Sequence, residues 1–225
     1  MTVQTVEYKP GRHPDVFGEA SDPTALLWHG TQTDSRAAVR VLAAAIADHG
    51  ICVIAPDWDS HAADRGRSDL LRSAEFAQSH GGGGGLVVIG WSLGGVAAAG
   101  LALHAPEFNV PVAHAVCLGG AFMVDDPLSG GPVLDRVSDG PVRAPFTLLS
   151  GNADDVVPTS VATTFAVALS EIDWPVDAVE LDADHGSIAG ARYDPSLDRY
   201  ECADDPATRS VVDVVADRIA TVTFA

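Results

Sequence analysis

The stretch Leu86-Val87-Val88-Ile89-Gly90-Trp91-Ser92-Leu93-Gly94-Gly95-Val96-Ala97-Ala98-Ala99 decides how the rest of the chain is read. It begins as an apolar run of β-branched residues, breaks at glycine, serine and glycine, and continues rich in alanine. That order is strand, sharp turn, helix. A G-x-S-x-G pattern in this setting is a nucleophile elbow: small residues two before and two after Ser92 let the backbone hold a strained turn from whose tip the serine projects. The pattern alone is common in loops, so the claim that Ser92 is a nucleophile rests on its flanks and on partners elsewhere. Leu86–Ala105 carries no formal charge and mimics a membrane span, but its glycines and the Trp91-Ser92 turn divide it into two short elements.

Outward from this stretch the alternation repeats. Upstream, Thr24–Trp28 is an apolar run ending at His29-Gly30-Thr31-Gln32, and Asp34 or Ser35 caps a helical pattern through Asp48, closed by Gly50. Ile51–Ala55 is a second buried strand, stopped by Pro56-Asp57, and Ser68–His80 is an amphipathic helix. Downstream, Val112–Leu118, Phe146–Ser150 and Val176–Leu181 read as strands, and Pro158–Glu171 and Thr208–Ala220 as helices. Residues 1–23 offer one edge strand within Thr2–Tyr8, and Ala121–Pro145 offers no helix. Strands of continuous Val, Ile and Leu between helices predict an α/β fold: one domain over residues 1–225, with a mostly parallel sheet covered on both faces. The run Gly81–Gly85 leads into a strand, whereas a phosphate-cradling loop follows one and adds a lysine and a hydroxyl. It is expected to be a connector at the sheet edge away from the ligand.

Charge narrows the function classes. The 225 residues include 31 acidic and 13 basic side chains, a net charge of -18, with Lys9 the only lysine. Such a field repels phosphate backbones and anionic lipid, which argues against nucleic acid, membrane and polyanionic substrates as partners. Cys52, Cys117 and Cys202 are widely spaced and form no disulfide or zinc pattern; Cys117 lacks an elbow and reads as a small buried hydrophobe. Met1–Pro14 has no apolar core of a secretory signal, so a cytoplasmic protein is expected.

A serine hydroxyl needs a base to take its proton, and the base needs a group to hold its tautomer. Past the end of one downstream strand lies Gly151-Asn152-Ala153-Asp154-Asp155-Val156-Val157-Pro158; past the next lies Asp182-Ala183-Asp184-His185-Gly186-Ser187. His185 is the only histidine beyond His114, so the chain order is serine, aspartate, histidine, each at a strand C-terminus.

With His29-Gly30, Ala55-Pro56-Asp57, the elbow, Gly151–Pro158 and Asp184-His185-Gly186 in this order, the chain resembles the α/β-hydrolase family, most closely its small esterases and dienelactone-hydrolase-like members. The resemblance spans about Leu26 to His185 and implies a serine hydrolase that cleaves a small-molecule carboxylic ester through an acyl-enzyme, without cofactor or metal. It puts the acid on Asp154 through the pattern G-x-x-D-x-x-V-P, with Asp155 the competitor, and the oxyanion donors on the N–H groups of Leu93 and Thr31. Ala121–Pro145 is too short for the family's usual cap, which implies an open site and short, soluble substrates. A lactone or thioester substrate and a non-catalytic receptor on the same fold are the alternatives. Trp28, His29, Trp58 and Trp91 are candidates to line the pocket, with plain core as the competing reading for the tryptophans and a loop brace for His29. Asp57, Asp59, His61 and Asp64 match no metal-ligand spacing and read as a solvated capping loop.

Overall fold

The computed structural model describes residues 3–81, 84–135, 137 and 143–225. Thr2 of the expected edge strand, two of the five glycines and part of the 121–145 stretch lie outside these. Chain order is β1 (Val3–Thr5), β2 (Pro14–Phe17), β3 (Thr24–Trp28), α1 (Arg40–Ala47), β4 (Cys52–Pro56), α2 (Arg67–His80), β5 (Leu86–Trp91), α3 (Leu93–Leu103) and α4 (Ala105–Phe108). Then come β6 (Val112–Leu118), β7 (Phe146–Gly151), α5 (Thr159–Glu171), β8 (Val176–Leu181), β9 (Ala191–Asp194), β10 (Arg199–Cys202) and α6 (Pro206–Thr223). The main sheet is 8-stranded, in the order β1-β2-β4-β3-β5-β6-β7-β8. Strands β4 through β8 are parallel, and β1 and β2 add an antiparallel edge.

Strand alternation divides the core into two layers. On β3, Leu26 and Trp28 belong to the core layer that also takes in residues of α2, α3 and α5, while Ala25 and Leu27 belong to the layer that takes in residues of α1 and α6. On β5, Leu86 and Val88 take the first side and Val87, Ile89 and Trp91 the second. Gly90 therefore points toward α3, where the chain turns straight back: a Cβ there would lie 1.9 Å from the Gly94 carbonyl oxygen. Every residue of α3 from Gly94 to Leu103 is buried, as expected of a helix without a polar face.

Three expectations are corrected. The first helix begins not at the Asp34/Ser35 cap but after a 3-10 turn at Arg36–Val39, and Ser35 makes no side-chain cap bond. The last helix starts at Pro206, because Asp205 caps it through the N–H groups of Ala207 and Thr208. β2 and the β9–β10 hairpin are additional elements, and β1 is shorter than Thr2–Tyr8.

The strand order reverses direction between β3 and β5, since β4 lies on one side of β3 and β5 on the other. In a doubly wound sheet the crevice beyond the strand C-termini at this point is where ligands bind. His29-Gly30-Thr31 and Ser92 lie at the two strand ends that frame it. The glycine run precedes β5, at the opposite end of the strand from Ser92, about 20 Å away for six residues at ~3.3 Å each. No helix of the described residues is long and apolar enough to cross a membrane.

Candidate active site

Ser92 has φ 57° and ψ -119°, the left-handed backbone that a side-chain-bearing residue rarely adopts. Hydrogen bonds hold it there: its N–H donates to the Leu118 carbonyl (2.9 Å), and its carbonyl accepts from Gly95 (3.0 Å) and Ala121 (3.2 Å). A Cβ on Gly94 would stand 2.4 Å from the His29 carbonyl oxygen, so glycine is required where α3 starts against the loop after β3. Across the crevice, a Cβ on Gly30 would be 3.3 Å from that of Ser92. Among the described residues, no backbone hydrogen bond from the Thr31 or Leu93 N–H is seen.

The acid and the histidine come from the two strands beyond β6. Asn152 and Ala153 donate to the carbonyls of Leu181 and Ala183, which ties the loop after β7 to the one after β8. Asp154 turns inward between them, and its side chain is 0% exposed. One oxygen, Oδ2, is 2.8 Å from His185 Nδ1; the other, Oδ1, accepts from the Val156 (2.9 Å) and Val157 (2.7 Å) N–H groups. Burial alone would raise its pKa, but the bonds from His185 and the two backbone amides outweigh burial and hold the carboxyl below its ordinary value. Since the ionised carboxylate only accepts, the proton between the two residues belongs to Nδ1, leaving the Nε2 lone pair free to accept. Asp155 is exposed and does not share this arrangement. Gly119, at φ +50° beyond β6, leaves room for the pair: a Cβ there would be 3.2 Å from Asp154 Oδ2 and 3.4 Å from His185 Nδ1.

The tryptophans resolve toward the core reading. Trp28 and Trp58 are 0% exposed and are seated in the core. Trp28 sits on the α2 side of β3 and donates to Ser73 Oγ; Trp58 donates to the His29 carbonyl. Trp91 is buried below the histidine and donates from Nε1 to the His185 carbonyl at 2.7 Å. His29 is buried as well and takes the brace role. It is fully buried, its Nδ1 bonds the Gly30 carbonyl, and its Nε2 accepts from the Ser35 and Trp58 N–H groups. Burial lowers its pKa to about 3, so it braces the loop as a neutral imidazole.

Carboxylates of the 57–64 loop are spent on structure. Asp57 pairs with Arg36, Asp59 accepts from Thr33, and Asp64 receives the Gly66 and Ser68 N–H groups at the start of α2. Cys117 is buried, and burial pushes its thiol pKa up. Asp184 of the Asp184-His185-Gly186 motif accepts from the Gly186 and Ser187 N–H groups and shapes the turn behind the histidine. Sequence reasoning misses Tyr200, whose ring lies 5.7 Å from that of His185, and Gln32, which hydrogen-bonds the Tyr200 backbone. Gln32 was visible beside Thr31, whereas Tyr200 had no local signal. An apolar cavity of about 330 Å³, lined in part by Phe122, Met123, Leu134, Val161 and Phe165, opens between α5 and the segment after β6. None of Ser92, Asp154 and His185 lines it, although Phe122 follows the Ala121 that bonds the Ser92 carbonyl.

A strained serine at the end of β5 and a histidine–carboxylate pair at the ends of β8 and β7, all on the C-terminal edge of one largely parallel sheet, are the layout of an alpha/beta hydrolase fold. The chain belongs to the alpha/beta hydrolase family, whose family model matches residues 25–224. Its structure is similar to an esterase from Pyrobaculum calidifontis (TM-score 0.72, 17% identity, covering 100% of this chain and 86% of that one). It is also similar to the thermophilic esterase Est2 of the planctomycete Thermogutta terrifontis (TM-score 0.73, 16% identity, 99% and 93%). A third similar structure is MGS-M1, an alpha/beta hydrolase enzyme from a Medee basin deep-sea metagenome library (TM-score 0.70, 16% identity, 100% and 99%). No curated protein matches the chain significantly in sequence.

Proposed function

We propose that this protein is a serine hydrolase of small carboxylic esters. The observation that carries the proposal is the buried Asp154–His185 hydrogen bond, set at strand C-termini of the same sheet that ends β5 in the strained Ser92. In the reaction Ser92 Oγ attacks the ester carbonyl while His185 Nε2 takes its proton, and the imidazolium that forms is stabilised by Asp154. His185 then gives the proton to the departing alcohol, and water reverses the sequence to release the acid. The Leu93 and Thr31 N–H groups hold the oxyanion, each worth on the order of a hundredfold or more in rate. Leu93 also opens α3, whose positive end favours that negative charge. The resemblance of the fold to solved esterases supports the same reading.

Short esters are the preferred substrates under this proposal, because the stretch between β6 and β7 is too short for a separate cap. The test is labelling with a fluorophosphonate followed by peptide mass spectrometry, beside turnover of short esters, lactones and thioesters. An adduct on Ser92 with ester turnover is expected. An intact protein that neither labels nor turns over any of the three classes would instead be a receptor on a hydrolase fold.

A further inference from the structure

We propose that Gln32 and Tyr200 are positioning residues that lock the His185 turn and the Thr31 loop into one geometry. The proposal rests on the serine-hydrolase reading for its catalytic consequence, but its structural part stands apart from it.

Between His185 and α6 the chain makes a β9–β10 hairpin that joins no strand of the main sheet. Its Tyr200 ring lies 5.7 Å from the His185 ring and 5.1 Å, edge-on, from Trp91, whose own ring is 5.5 Å from His185. The imidazole is thus hydrogen-bonded at Nδ1 by Asp154 and flanked by two aromatic rings. Close approach is built in at Gly186: a Cβ there would meet Tyr200 Cε1 at 3.1 Å and the Ala191 carbonyl oxygen at 2.5 Å. Burial first, then the charges of Asp154, Asp155 and Asp184, push the Tyr200 phenol up to about 12. The hydroxyl therefore stays protonated at neutral pH, and the contacts seen are those of the ring.

Gln32 fastens this hairpin to the other half of the site. Its Oε1 accepts the Tyr200 N–H, and its Nε2 donates to the Tyr200 carbonyl at 3.2 Å and to Ser35 Oγ at 3.0 Å. One amide thereby takes both backbone groups of Tyr200, as a neighbouring strand would. Gln32 directly follows Thr31, so the clamp joins the proposed oxyanion donor to the residue that flanks the base, across 168 positions of sequence. A site whose parts come from distant segments loses on the order of a hundredfold for a shift of about 1 Å, which is what such a clamp prevents.

The test compares Tyr200→Phe, Tyr200→Leu and Gln32→Ala by ester kinetics, melting temperature and low-field proton NMR. The His185 Nδ1–H resonance is assigned by its disappearance in Asp154→Asn. Tyr200→Phe is expected within about twofold of wild type, because the ring remains. Tyr200→Leu and Gln32→Ala are expected to lower kcat about tenfold with KM within about twofold, and to broaden or lose that resonance through faster exchange. The double variant Gln32→Ala/Tyr200→Leu is expected to lose little more than either alone, as parts of one unit do. A sharp resonance and unchanged kcat in folded Tyr200→Leu, or an equal loss in Tyr200→Phe, would overturn the proposal. Should Tyr200→Leu fail to fold, Gln32→Ala decides on the same readouts. If the wild type hydrolyses nothing, the ester reading fails while the NMR comparison still judges the clamp.

Discussion

Ser92 holds its left-handed conformation only because three backbone hydrogen bonds and two glycines surround it, so the residue scale is where substitutions act most sharply. Under the proposed chemistry, Ser92→Ala and His185→Ala each lower kcat about a million-fold, and together hardly more, as residues acting as a unit do. Steady-state turnover of a chromogenic acetate ester measures both. Asp154→Asn is expected to fall far below Asp155→Asn in the same assay, because only Asp154 reaches His185 Nδ1. Replacing Gly90 by alanine is expected to unfold or severely destabilise the protein, since its Cβ would overlap the Gly94 carbonyl; circular dichroism on heating checks this. Residues with a fixed chemical vocabulary were legible from sequence at this scale: the elbow, the acid loop and the lone downstream histidine. Burial was not legible. Trp28 and Trp91 both end apolar strands, yet one packs beneath α2 and the other beneath the histidine, a difference set by the face each strand position takes.

Elements were legible in proportion to their apolar continuity. Strands β3, β4, β5 and β7 are buried at every residue and announce themselves as largely apolar runs, whereas β6 carries an exposed Ala113 and a half-buried His114. β2 has four residues and begins at a proline, while β10 reads Arg-Tyr-Glu-Cys, a half-exposed strand with no apolar face to give period two. Their pairing comes from tertiary contacts that a linear pattern does not carry. The start of α6 illustrates the same limit: Asp205 and Pro206 are a sound helix opening, but the apolar periodicity directs attention to Thr208. Asp205→Ala is expected to destabilise the protein by about 1 kcal/mol. In a chain of this size that lowers the melting temperature by about 2–4 °C, which calorimetry resolves.

The whole molecule is governed by its charge. Ion pairs such as Arg12 with Asp59 and Asp69 are attractive, but 31 acidic against 13 basic residues leave repulsion dominant. Raising salt from about 0.01 M to 0.15 M shortens the screening length from about 30 Å to about 8 Å and is expected to raise the melting temperature. A fall would mean that the attractive pairs win. His29 adds a pH dependence of known sign. Its folded pKa of about 3 lies below the ordinary histidine value, so the unfolded chain binds the extra proton and stability is lost as pH falls from about 6.5 toward 3. Relative to His29→Gln, whose side-chain carbonyl is expected to accept the same Ser35 and Trp58 N–H groups, the wild type is expected to lose on the order of 1 kcal/mol more per pH unit between about pH 6 and 4. Chemical denaturation at several pH values measures the difference in slope.

The glycine run before β5 has a use of its own. Gly84 is exposed with open space around its Cα, and it lies at the end of the strand remote from Ser92. Exposed connector residues such as Gly84 accept foreign sequence. A fluorescent domain or an affinity peptide spliced in beside Gly84 would give an internal fusion whose cargo hangs from the far side of the sheet, leaving the mouth of the crevice open to solvent.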